Sequence, residues 1–396
     1  MQRESIQSDE SMSFMRMLMT LMLVVLSGFL IIGIALPVLP RYVHHQLGFG
    51  TFAVGLVTGV QFAASLCTRF AAGRYADQYG GRRSIYLGLI MAIAGGVFYL
   101  VSIPFTAQPA LAITLVLLGR TVVGGAESFI ITGGMTLGLA LAGGKQTGRV
   151  IAWVGTAMFA AFALGAPLGT FIFVHSGFIA IAVTTVILPF IAMAMVRVLP
   201  ERVEPSNQKG TLSQALSSVW LPGLGAAFNG VGYAALLSFS VLLYSQKGWG
   251  MGWLPVTAFA AALIAARLFM GQLIDRSGGT LVGALFSLVT AVGQGLLWAA
   301  PSPWIAATGA VLTGAGWAMV YPAFGSEAVK RLGGLNKGVA MATYSAFPDL
   351  AIGLASPLLG LVVPAGQMNM AFLWSAILVL LAVPVALLAA KKRPVL

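Results

Sequence analysis

Long apolar runs follow one another along almost the whole chain, and a helix needs about 20 apolar residues to cross a bilayer. They lie near 15–39, 50–72, 84–104, 110–140, 150–173 and 178–197, then near 220–244, 253–274, 281–300, 304–329, 338–363 and 369–390. Backbone polar groups find no water in hydrocarbon, so each run must close its hydrogen bonds within itself as an α-helix. Twelve crossings place both termini on one side. The run at 110–140 exceeds the bilayer and is expected to project into the cytoplasm.

Charge is scarce: 8% of 396 residues, against about a quarter in soluble domains. That excludes a soluble enzyme and a disordered or fibrous chain. The net charge of +12 invites a nucleic-acid reading. The competing explanation is that Lys and Arg gather in cytoplasmic loops. With the amino terminus inside, the outer loops hold only Arg41 and Lys247, and Arg120 lies within span four. The other basic residues fall in inner loops, tails and inner helix ends. This pattern sets the orientation and removes the nucleic-acid reading.

A single cysteine, Cys67, allows no internal disulfide, and three histidines make no metal cluster. No phosphate-binding P-loop and no Ser/His/Asp constellation is present, so neither an enzyme nor an ATP-driven pump is expected. His44 and His45 in the first outer loop read as a solvated pair, with a pH-sensing role as the alternative.

The polar segment with Pro200, Glu201, Arg202, Glu204, Pro205, Asn207 and Lys209 divides the spans six and six. The expected organisation is a cytoplasmic tail (1–14), a first six-helix bundle (15–198), a cytoplasmic linker (199–219), a second bundle (220–390) and a cytoplasmic tail (391–396). Leu212, Leu216 and Trp220 recur at helical spacing, which suits a short interfacial helix as well as a plain linker.

The bundles repeat each other. Arg69, Gly73 and Asp77 close span two four residues apart, and Arg267, Gly271 and Asp275 close span eight in the same way. Gly148 precedes Pro167 by the interval at which Gly338 precedes Pro357. A duplicated six-helix unit belongs to transporters that bind substrate between halves near the midplane.

The loop GRYADQYGGRRS at 73–84 resembles the signature of the major facilitator superfamily through Gly73, Asp77, Gly80, Arg82 and Arg83. Gln78 replaces the usual basic residue. The related loop GQLIDRSGG keeps Gly271, Asp275, Arg276 and Gly278 without the paired arginines. The segments VHHQLGFG, YPAFGSEAVKR and DLAIGLASPLLG are similar to the YhhS/YfcJ-like branch of twelve-helix exporters. The resemblance implies an all-α integral membrane fold of two pseudo-symmetric six-helix bundles. It also implies a latch between halves at Gly73, Asp77, Gly80, Arg82, Arg83, Asp275 and Arg276. Independently, a carboxylate such as Asp77 at a helix end suits the positive end of a neighbouring helix, while basic loop residues also anchor to anionic lipid. GRTVVGGAE resembles a family pattern through Arg120 and Gly124. Gly165, Pro167 and Gly169 resemble the glycine–proline motif of proton-coupled exporters, with Ala166, Thr170 and Phe171 departing from it. A plain proline kink is the alternative.

Charges inside spans are costly, so Arg120, Glu127 and Asp349 are the proton-coupling candidates. Arg120 and Glu127 share one helix face at a separation of two turns. Their alternative role is a structural network that pins helices. Gln61, Trp153, Asn229, Tyr233, Tyr321 and Tyr344, with Gln294 and Trp317, are candidate cavity lining, although such residues also glue helices together.

The expected function is therefore a proton-coupled exporter of a drug or metabolite in the bacterial inner membrane. It is expected to act as a monomer in the lipid bilayer, with protons and a small molecule as partners and no cofactor. The alternative is a proton symporter importing a sugar, organic acid or other nutrient. A non-transporting receptor is a remote third.

Overall fold

A computed structural model describes residues 2–142, 147–201, 212–331, 337–364 and 366–391. Of the expected linker at 199–219, residues 202–211 lie outside the described residues, as does most of the carboxy-terminal tail.

The described residues are almost wholly helical. The main helices of the first half are α1 (Gln2–Ala35), α2 (Thr51–Tyr79), α3 (Gly81–Ser102), α4 (Pro109–Ala142) and α5 (Thr147–Val196). Those of the second half are α6 (Leu212–Gln246), α7 (Leu254–Met270), α8 (Leu273–Ser277), α9 (Gly279–Ala299), α10 (Pro303–Arg331), α11 (Lys337–Val362), α12 (Met370–Leu380) and α13 (Ala382–Lys391). Among the described residues ten helical segments are long and apolar enough to cross a membrane, and Leu254–Met270 is a shorter apolar helix. The segment Val150–Val196 would reach about 70 Å if straight, more than twice a bilayer core. It is two crossings, separated at Gly177, whose φ of 69° breaks the helix. The crossings thus number twelve, and the fold is the expected duplicated all-α membrane architecture.

Two details differ from the sequence expectation. The segment from Leu212 is neither a separate interfacial helix nor a plain linker, because α6 runs from Leu212 through Pro222 to Gln246. Span eight ends early, at Met270, and Gly271 and Gln272 turn the chain into the short α8.

The chain forms two compact units. The first comprises 1–34, 64–165 and 172–206; the second comprises 35–63, 166–171 and 207–396. The first unit packs α3 on α4 through small residues. A Cβ on Gly81 would strike the Gly133 carbonyl, and one on Gly95 would lie 3.0 Å from the Gly119 carbonyl. The second unit packs α9 on α10 in the same register. Gly279 lies on the Ala323 carbonyl, and a Cβ on Gly293 would lie 2.6 Å from the Gly309 carbonyl. Helices in lipid gain little from hydrophobic burial, so association rests on such close backbone approach.

The turns before α3 and α9 are also duplicates. Gly80 (φ 91°, ψ 153°) and Gly278 (φ 82°, ψ 146°) each form the N-cap in a backbone region open to glycine. The Gly80 amide donates to the Ala76 carbonyl (2.9 Å), and the Gly278 amide donates to Ile274 (3.0 Å). The internal repeat is therefore a repeat of turn geometry and helix packing. Elsewhere in the second unit, the start of α2 lies along α11. The Thr51 hydroxyl donates to the Gly360 carbonyl at 2.7 Å, and Gly59 sits on the Gly353 carbonyl.

Candidate functional site

In the first unit the charged face of α4 is the chemically unusual feature. Arg120 is 1% exposed and heads the largest fully buried side chains. Gly119 lets α4 approach α3 so closely that the Tyr99 ring covers it. The Arg120 guanidinium acts on the Tyr99 phenol, whose ring packs on Phe178 at 6.0 Å. Glu127 is half-buried two turns further along, beyond the buried Val123 and Gly124. Placing an arginine in a span costs about 2.5–3.5 kcal/mol on insertion scales, so its retention in a packed interior calls for compensating partners. Arg120 and Glu127 thus occupy the shared face that their spacing implies. Trp153 also belongs to this unit and is half-exposed on α5.

The second unit gathers aromatic rings instead. Tyr233 on α6 stacks on Trp317 of α10 at 5.5 Å and 4°, and it also meets Phe259 of α7 at 5.2 Å. Phe62 meets Tyr233 edge-on at 6.0 Å. Trp317 continues to Tyr321 at 5.9 Å, and Tyr321 to Tyr344 at 5.4 Å. The Tyr344 hydroxyl donates to the Tyr321 carbonyl at 2.7 Å. Three of the proposed lining residues, Tyr233, Tyr321 and Tyr344, therefore form one column with Trp317. Gln61 is fully buried beside Phe62.

Asn229 and Gln294 act as helix glue. The Asn229 amide donates to Ser287 (2.9 Å) and to the Gly225 carbonyl (3.0 Å). The Gln294 amide donates to Thr313 and to the Gly232 carbonyl, each at 3.1 Å, and Ser375 donates to its oxygen. Asp349 is half-buried on α11, next to Pro348. It lies five residues past Tyr344, about 140° around the helix.

The signature loop is engaged within its own unit. Arg83 pairs with Glu201 at 2.7 Å, with both side chains largely exposed. The Arg82 guanidinium donates to the Arg197 carbonyl at 3.3 Å. Asp77 is exposed, and no side chain caps α3, whose first turn begins at Gly80. In the second loop Asp275 is exposed, and Arg276 donates to Gln272 at 3.1 Å. Gly73 has open space around it, whereas Gly165 lies against the backbone of Gly33 and Ile34. Helical geometry continues past the half-exposed Pro167 and the buried Gly169, and the break in α5 falls at Gly177.

Sequence reasoning missed two groups. Glu327 is 1% exposed and pairs with Arg331 at 3.4 Å. Arg331 also donates to the Ala389 carbonyl, which ties α10 to α13. The four-residue spacing of Glu327 and Arg331 was the available signal. The second is Arg267, read from sequence as part of the repeat that closes span eight and as an inner helix end.

A duplicated set of membrane-crossing helices, with buried charge in one unit and an aromatic column in the other, is the architecture of a membrane transporter. The chain belongs to the Major Facilitator Superfamily, whose family model matches residues 21–326. An uncharacterized MFS-type transporter of Salmonella typhimurium is 38% identical over 354 residues, 89% of this chain and 91% of that protein. The uncharacterized MFS-type transporter YhhS of Escherichia coli K12 is 36% identical over 370 residues, 93% and 91% of the two chains. Among solved structures, the nucleoside transporter NupG aligns with a TM-score of 0.72 at 14% identity, covering 95% of this chain and all of that one. The human organic anion transporter MFSD10 aligns with a TM-score of 0.68 at 15% identity, covering 94% and 99%. The relatives are bacterial MFS-type transporters, so this chain is a multi-pass membrane transporter of small molecules.

Proposed function

We propose that the chain exports a drug-like compound or metabolite in exchange for protons, by alternating access. The observation that carries this reading is the charged face of α4, where the buried Arg120 and the half-buried Glu127 lie two turns apart. An ionisable pair inside a span is a functional candidate by default, and a carboxylate whose arginine neighbour moves during the cycle gains and loses a proton in step with it. Asp349 on α11 is the second proton candidate. Export is supported by the likeness of Gly165, Pro167 and Gly169 to the exporter motif, with Gly165 packed bare against the backbone of Gly33 in the first crossing.

The proton gradient supplies the drive, with no cofactor. One chain holds both repeats, so a monomer suffices. The charge asymmetry of the loops supports a bacterial inner-membrane location with both termini cytoplasmic. Symport of a sugar, organic acid or other nutrient is the second reading, since one fold supports transport in either direction.

Inside-out vesicles with an acidified lumen and a pH dye separate the two. A panel of lipophilic cations, drugs, sugars and organic anions is added. Export by antiport predicts proton release from the lumen on adding a substrate, lost in a Glu127→Gln/Asp349→Asn double variant. External alkalinisation on adding a compound to right-side-out vesicles would replace antiport with symport.

A further inference from the structure

The loops that charge asymmetry places outside hold cations and no carboxylate. None of the ten Asp and Glu residues falls in 40–50, 105–109, 174–178, 245–253, 300–303 or 364–369, whereas Arg41, His44, His45, His175 and Lys247 do. Three of these gather at one turn. The first crossing ends in Leu39–Arg41 and a π-helical turn, Tyr42–Gln46, closed by the Leu47 amide donating to the Tyr42 carbonyl at 3.0 Å. Turns of this kind are frequent at functional sites. His44 and His45 lie three and four residues past Arg41, so all three share one side of the helical backbone. The two imidazoles are 5.0 Å apart.

The turn meets the segment 245–253 within the second unit. The Arg41 guanidinium lies against Gly252, where a Cβ would strike it, so the bare glycine is what admits it. Beside it, His45 Nε2 is 3.2 Å from the Ser245 hydroxyl. The other titratable groups on this side are the exposed Lys247 and Tyr244, whose hydroxyl donates to the Pro303 carbonyl at 2.5 Å. The neighbouring loop, joined where the Met368 amide donates to Gln246 at 3.0 Å, adds none from 366 to 369.

Arg41 is half-buried and has no carboxylate to pair with among the described residues. Withdrawing a charge from water without a counter-ion is costly, so this guanidinium calls for an anion. The Phe49 carbonyl can only accept, so His44 Nδ1, 2.8 Å away, carries a hydrogen. Neutral His44 then has a bare lone pair at Nε2, and protonation turns it into a second N–H donor. A planar guanidinium with imidazolium donors matches the oxygens of a carboxylate, sulfate or phosphate group.

We propose that Arg41, His44 and His45 form an anion site on the outer face, which takes a small oxyanion together with a proton on the imidazoles. The word outer rests on the membrane orientation of the proposed function; the binding claim needs neither that orientation nor transport.

The chain has three histidines, so His175→Gln leaves His44 and His45 as the only imidazole signals. Their ¹⁵N resonances are followed in purified protein in detergent while sulfate, whose charge is constant over the range, is titrated at several pH values. The expected result is saturable shifts, with sulfate bound at least tenfold more tightly at about pH 5.5 than at about pH 8, because protonated imidazoles favour the anion. Arg41→Gln should weaken binding at least tenfold, and Arg41→Lys should restore part of it. Gly252→Ala, which displaces only the end of a flexible side chain, should weaken it at least threefold. If Arg41→Gln does not fold, Gly252→Ala and Arg41→Lys carry the comparison. Shifts reproduced by sodium chloride at equal ionic strength, an affinity independent of pH, or undiminished binding in the Arg41 and Gly252 variants would each overturn the proposal. Nanodiscs then identify the source. A sulfate response in phosphatidylcholine that vanishes in phosphatidylglycerol assigns the site to a lipid headgroup, a response in both assigns it to a soluble anion, and a response in neither overturns it. The vesicle panel reads transport and this titration reads binding, so either can fail without the other.

Discussion

The two units share a packing plan and differ in chemistry. Counting from Gly119 and Gly309, whose carbonyls meet matching glycines, Arg120 corresponds to Ala310 and Glu127 to Trp317. Where α4 carries a buried cation and a carboxylate, α10 carries a small residue and the centre of an aromatic column. Duplication thus preserved what helices in lipid need to associate, namely bare backbone at the crossing points. The functional side chains between those points diverged. On the proposed function, the charged face of the first unit is the leading place for the coupled proton, with Asp349 of the second unit as its alternative.

The largest stability difference between the units should come from their ion pairs. Glu327 and Arg331 are enclosed, so Glu327→Ala leaves a charge without its partner, at a cost of about 3–5 kcal/mol. Arg83 and Glu201 are exposed, so Glu201→Ala should cost about 0–1 kcal/mol. Melting in detergent reads both, and similar losses would contradict the burial contrast.

The shared seam gives the next prediction. Gly81→Val and Gly279→Val each drive a side chain into a facing carbonyl and should destabilise alike, by about 1–3 kcal/mol or more. Gly73→Ala, with open space around it, should leave the melting temperature unchanged. A loss confined to one unit would show that the duplicated packing is not used equally. The third prediction concerns function beyond the packing loss that shortening the buried Trp317 brings. Trp317→Leu should weaken substrate binding about tenfold with proton coupling intact, as read by ligand titration and by proton movement in vesicles. The smallest effect on folding is expected from Asp77→Asn, which should slow transport while binding and melting stay near wild type. Normal transport rates in that variant would remove the latch role.

Much of this was legible in the sequence. Lipid forces the backbone into helices, so run length and loop charge sufficed for the crossings, and the matched Gly and Asp spacings exposed the duplication. Arg120 and Glu127 share the face that their spacing dictates. What the sequence could not supply was which partner each residue meets on another helix. Asn229 and Gln294 bind neighbouring helices together, a role that spacing along one helix cannot distinguish from lining a cavity. Tyr233, Tyr321 and Tyr344 lie on three different helices, so their column exists only after packing.

The most direct test of the division of labour compares two transport modes of Glu127→Gln in proteoliposomes, using a compound identified by the vesicle panel. Counterflow exchanges labelled for unlabelled substrate and needs no proton movement, whereas accumulation driven by a pH gradient requires it. The account predicts that Glu127→Gln retains counterflow and loses gradient-driven accumulation. Gradient-driven accumulation at the wild-type level in that variant would contradict it and move the proton to Asp349.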